Sequence, residues 1–128
     1  MKALFALAAV AAFAGPVYAD CSYPPPPEHL PDGNTATMAE MVAGQKAVKE
    51  YDGQINAYNS CITLERDDAI AKAGDKLTAE QKAEMDKVVV QKHNAAVDQL
   101  QSIAERFNEQ VRVFKAKNNP ASGDSKKK

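Results

Sequence analysis

Two helix-start signals, Thr37-Met38-Ala39-Glu40 and Thr78-Ala79-Glu80-Gln81, constrain this chain more than any other feature. Each is a capping box, in which a hydroxyl and a carboxylate or amide three residues on satisfy backbone N–H groups that a first helical turn leaves orphaned. Behind each box lies a long run of helix formers with apolar residues at heptad spacing. In the first run Met41, Val48, Ile55, Ile62 and Ala69 form one set, and Gly44, Tyr51 and Tyr58 the other. In the second run Val90, Val97, Ala104 and Val111 form the main stripe, with His93, Leu100, Phe107 and Phe114 as companions. Val89, Ala96 and Ile103 lie beside that stripe and read as a face for self-association.

Gly74 suits a helix C-terminus and Asn118-Asn119-Pro120 ends the second run, so the helices are predicted over about 37–73 and 79–117. At 1.5 Å per residue both measure roughly 55–58 Å. Two helices of equal length with a short connection predict an all-α fold, a long antiparallel two-helix hairpin of coiled-coil type spanning 37–117. One register alternates the heptad sets across the seam. It sets Met41 against Phe114, Gly44 against Val111, Val48 against Phe107 and Tyr51 against Ala104, then Ile55 against Leu100, Tyr58 against Val97 and Ile62 against His93.

The N-terminus reads as a secretory leader. Lys2 is followed by the apolar run Ala3 to Ala14, the helix breakers Gly15-Pro16, and Val17-Tyr18-Ala19 with small residues where a signal peptidase reads them. The apolar run is shorter than the ~18–20 residues that a membrane span needs. The expectation is a signal peptide over 1–19 cleaved after Ala19, and a periplasmic or secreted product with no stable membrane insertion. Asp20 stands where a lipobox would have a small residue, which disfavours a lipid anchor on Cys21.

Residues 20–36, Asp20 to Ala36, form a proline-rich arm in which Pro24, Pro25, Pro26 and Pro27 favour polyproline II. The two cysteines of the chain, Cys21 and Cys61, bracket this arm and about the first two-thirds of helix one. In an exported chain they read most simply as one disulfide, with a Cys61-linked dimer or two free thiols as the other readings. From Cys21 to Thr37 the arm spans up to ~50 Å in polyproline II. From Thr37 to Cys61 the helix rises ~36 Å. The arm is therefore long enough to turn at Pro31-Asp32-Gly33 and lie back along helix one. Tyr23 and the four prolines would then pack on Tyr51 and Tyr58.

The composition limits what such a fold can do. The chain has no Trp, and beyond the leader its aromatics are Tyr23, Tyr51, Tyr58, Phe107 and Phe114, so the core is thin. Without Lys2, fifteen basic side chains face seventeen acidic ones, and three of the basic ones are the tail Lys126, Lys127 and Lys128. No clustered basic face for nucleic acid is present in that pattern. Residues 118–128 read as a disordered basic tail.

Neither a catalytic triad, a nucleophile elbow nor a phosphate loop is written in the chain, so an enzyme is not expected. His29 with Glu28 and Asp32 has no metal-site spacing, His93 reads as a packing histidine, and Glu65-Arg66-Asp67-Asp68 as a solvated charge run. No metal site and no cofactor are assigned.

Leu77-Thr78-Ala79-Glu80-Gln81 resembles the LTxxQ motif of small periplasmic chaperones and stress sensors of the Spy and CpxP type. That resemblance implies an α-helical, non-enzymatic protein that binds unfolded or envelope proteins. Cys21-Ser22-Tyr23-Pro24, Pro31-Asp32-Gly33, Glu40-Met41, Tyr51, Tyr58 and Cys61 together resemble small uncharacterised exported proteins of proteobacteria. The expected role is a non-enzymatic periplasmic interaction module with a protein partner or a second copy. A chaperone-like binder of unfolded proteins and a weak metal binder using His29 are the alternatives.

Overall fold

The computed structural model describes residues 21–119. The leader, its cleavage after Ala19 and the basic tail from Pro120 onward lie outside the described residues. Within them the chain forms helix α1 (Met38–Ala73), a 3-10 turn (Gly74–Lys76) and helix α2 (Ala79–Asn118). No strand occurs among the described residues. The two helices pack against each other as a hairpin, and the N-terminal arm is tied to α1 by the Cys21–Cys61 disulfide, whose Cα atoms are 5.8 Å apart.

Both capping boxes are formed. The Thr37 hydroxyl accepts the Glu40 N–H while the Glu40 carboxylate accepts the Thr37 N–H at 2.6 Å, and Thr78 and Gln81 repeat the arrangement at α2. These bonds hold the Glu40 carboxyl below its ordinary value, the backbone bond of Thr37 being the larger cause. At the other end of α1, Gly74 adopts φ +53°, the left-handed side that glycine enters without steric cost, and its N–H bonds the Ile70 carbonyl. Helix α2 continues to Asn118, one residue past its expected end, and the Asn119 N–H bonds the Lys115 carbonyl.

The core is a single narrow seam. Met41, Tyr51, Ile55 and Ile62 of α1 are buried with Ala96, Ile103 and Phe107 of α2, and Ile55 and Ala96 are wholly enclosed. Leu30 of the arm, Val48, Tyr58 and Leu100 pack around the central cluster.

The helix α2 seam differs from the expected one by a single residue. Val89, Ala96 and Ile103 point inward, whereas Val90 and Val97 are 56% and 41% exposed and Ala104 and Val111 are half-buried. The face assigned to self-association is the core; of the stripe assigned to the core, Val90 and Val97 are on the surface and Ala104 and Val111 at its edge, while its companions Leu100 and Phe107 do pack inside. His93 is exposed, so it is no packing histidine either. Phe107 packs on Gly44, where the expected register set Val111: a Cβ on Gly44 would lie 2.9 Å from Phe107 Cε2.

The observed seam of α2 is itself a strict heptad, so period alone does not choose it over the neighbouring stripe; packing on Tyr51 and Ile55 does. A straight helix drifts about 20° per seven residues relative to a heptad. In α1 the drift is visible as an extra step of four: Tyr51, Ile55, Asn59 and Ile62 are the buried positions, so Asn59 replaces Tyr58 in the seam. Tyr58 turns instead toward the arm.

Candidate functional site

The arm determines which part of the seam is left open. Its buried side recurs every third residue, with Cys21, Pro24, Pro27 and Leu30 half-buried and the residues between them exposed. Three residues per turn is the period of polyproline II, so one edge of the arm faces α1 along its length. Pro25 and Pro26 point to solvent, and only Pro24 and Pro27 of the four prolines are turned inward. The Tyr23 ring stands edge-on to Tyr58 with centroids 5.1 Å apart, and its hydroxyl lies 3.4 Å from that of Tyr51. Tyr51 is 2% exposed; burial first, and this hydrogen bond second, push its phenol well above its ordinary pKa.

The far end of the arm is held between the open ends of both helices. Asp32 accepts the Thr35 and Ala36 N–H groups through its carbonyl and the Asn34 N–H through its carboxylate, which closes the turn. Gly33 donates to Gln110 Oε1 at 2.9 Å, and Lys117 donates to the Asn34 carbonyl. Pro31 rests on Gly44.

Beyond the disulfide no described residue of the arm covers the seam. Tyr58, Cys61 and Glu65 lie on one ridge of α1; the arm sits on the first two, and Glu65 borders an open cleft of about 460 Å³. Its floor is Ile62 and Ala69 of α1, Leu77 of the connection, and Met85, Val88 and Val89 of α2. Alanines in the last turns of α1 provide little to fill it. Its rim is polar: Glu65, Gln81, Glu84 and Lys92 surround the opening. Arg66 bridges the helices at this end through Asp86 at 2.8 Å and also binds Asp67, which raises its pKa further. The cleft has the size and the apolar floor of a ligand or peptide site. Met85 adds a flexible, polarizable side chain suited to varied apolar partners.

Other candidate positions do not converge. His29 and Asp32 line a pocket between arm and α1 together with Glu40, yet among the described residues no three His, Cys, Asp or Glu side chains are placed to hold a metal ion. His93 borders a second shallow pocket with Asn59 and Thr63, on the edge of α1 away from the disulfide. Asn59 is 7% exposed and its Oδ1 has no hydrogen-bond partner among the described residues, a feature that heptad reading passed over. Among the described residues no helix is long and apolar enough to cross a membrane. No protein-family model, curated protein or solved structure matches the chain.

Proposed function

We propose that the chain is a non-enzymatic interaction module of the periplasm or cell exterior, exported by its leader, and that the tip cleft is its binding site for an apolar segment of another exported protein. The observation that carries this reading is the open apolar cleft lined by Ile62, Leu77, Met85 and Val88 inside a polar rim, which no described residue of the arm covers. A surface of that kind excludes water when it receives two or three apolar side chains, and apolar burial is what drives such association. The disulfide supports the address, because such bonds persist in oxidising compartments.

The test uses the oxidised chain from Asp20 onward with a photo-crosslinking residue at Val88, exposed to an extract of exported proteins. Specific adducts are expected at Val88 and not at Lys49, a surface control on α1. Hydrophobic-dye binding is expected to fall in Val88→Glu without loss of helical circular dichroism. Equal labelling at both positions, or dye binding unchanged in Val88→Glu, would refute the assignment.

A chaperone-like role is the second reading. It is favoured by the LTxxQ-like segment, since Leu77 and Gln81 both border the cleft. It requires that aggregation of a reduced, unfolding client be suppressed at near-stoichiometric ratios, and that Val88→Glu remove the effect.

A further inference from the structure

We propose that the stripe Val90, Val97, Ala104 and Val111 on α2 is the docking surface for a second copy of this chain, paired antiparallel about a two-fold axis that passes beside Leu100 and Gln101. This goes beyond the tip cleft, whose residues the pairing does not use.

The stripe repeats every seven residues, so it holds one face of α2 over roughly 32 Å. Val90 and Val97 are exposed and Ala104 and Val111 half-buried, although all four are apolar. His93, which neighbours the stripe, shares a shallow pocket with Asn59 and Thr63 of α1, whereas the arm lies along Tyr58 and Cys61. The stripe is therefore on the side of the hairpin that the described arm leaves open.

What matches a stripe of this period is another helix, and this stripe matches itself in reverse. Antiparallel pairing sets Val97 against Ala104 of the other copy, large against small, at the two layers next to the axis. Val90 meets Val111 at the next layers, and exposed His93 meets exposed Asn108. At both ends Asp86, whose carboxylate binds Arg66 of its own hairpin through one oxygen and is still half-exposed, falls opposite the exposed ammonium of Lys115. Parallel pairing would put Asp86 against Asp86 and Lys115 against Lys115. Lys87 and Arg112, which the antiparallel arrangement brings to one side, each pair with a carboxylate of their own helix, Glu84 and Glu109. The contact runs along one helix about 10 Å wide, so its footprint is below the ~800 Å² per partner of a standard interface. A footprint of that size suits a weak, reversible dimer.

Sedimentation velocity of the oxidised chain from Asp20 onward, from micromolar to hundreds of micromolar, tests this. A reversible monomer–dimer equilibrium is expected. Val97→Glu should abolish it with the melting curve unchanged, because the side chain lies outside the core. Lys115→Asp should weaken the dimer by on the order of tenfold. Oxidative cross-linking should require Val97→Cys and Ala104→Cys together. A chain that stays monomeric throughout, a dimer indifferent to Val97→Glu, or efficient cross-linking by Val97→Cys alone would each overturn the proposal.

Discussion

The hydroxyls of Tyr23 and Tyr51 lie 3.4 Å apart, so the polar tip of an arm residue meets that of a buried helix residue. The contact has a pH consequence. The Tyr51 phenol is raised above its ordinary value of 10.0, so the folded state favours its neutral form. Its contribution to stability is complete below the unfolded pKa near 10 and is lost as pH rises from there toward the higher folded value. Melting temperature should therefore be insensitive to Tyr51 through neutral pH and fall above about pH 10. The Tyr51→Phe variant should show a smaller alkaline fall, and ultraviolet titration should find one tyrosine ionising above the others. Ordinary titration of all tyrosines would contradict this.

The disulfide closes a separation of forty residues. Chain entropy assigns about 4 kcal/mol to a loop of that size, a large share of the stability of a thin two-helix core. Cys61→Ser and chemical reduction should lower the denaturant midpoint by the same amount. Unequal effects would show that the serine variant perturbs more than the linkage.

Three glycines should respond to alanine with opposite signs. A Cβ on Gly33 would lie 2.8 Å from the Phe114 backbone nitrogen, and one on Gly44 would strike the Pro31 ring at 2.6 Å. Each of these substitutions has to lift the arm from the helices, at a cost of about 1–3 kcal/mol. Nothing lies within 4 Å of a Cβ on Gly53, in exposed mid-helix. Gly53→Ala should stabilise by about 1 kcal/mol. Chemical denaturation of the three variants checks the order.

Ile103 and Val97 distinguish the observed seam of α2 from the stripe beside it. Ile103 is 3% exposed and Val97 41%. Ile103→Ala should cost about 2–5 kcal/mol through transfer and cavity terms. Val97→Ala, measured where the chain is monomeric, should stay within about 0.5 kcal/mol. Comparable losses would mean that the helix is rotated from the seam described.

Asn59 buries a carbonyl oxygen that has no hydrogen-bond partner among the described residues. Replacing a buried unsatisfied acceptor by an apolar side chain of similar size removes its desolvation cost of about 1–3 kcal/mol. Asn59→Leu should therefore raise the melting temperature. A lower one would show that the side-chain amide makes a contact the fold depends on.

Much of this architecture was legible from local chemistry. Thr37 and Glu40, and Thr78 and Gln81, are close in sequence, so a helix start can be read without knowing what surrounds it. Gly74 marked the end of α1 for the same reason. The arm could be measured against α1 because polyproline and helix have fixed rises, and Cys21 does meet Cys61. The tip cleft was not legible, because it exists only where the described arm stops and α1 has shed its large side chains.

Local chemistry was enough to place the two helices, their caps and the proline arm, and backbone lengths allowed the clasp without excluding other fates of the two thiols. Which side of α2 faces α1 was settled in three dimensions. Two apolar stripes one residue apart, Val89-Ala96-Ile103 and Val90-Val97-Ala104, carry the same heptad period, so periodicity cannot rank them. Packing does: Ala96 and Ile103 enclose Tyr51 and Ile55, and Phe107 fills the space above Gly44 that any side chain there would occupy. Close packing depends on the shapes of residues far apart in the chain, and that is where a helical period ends and a fold begins.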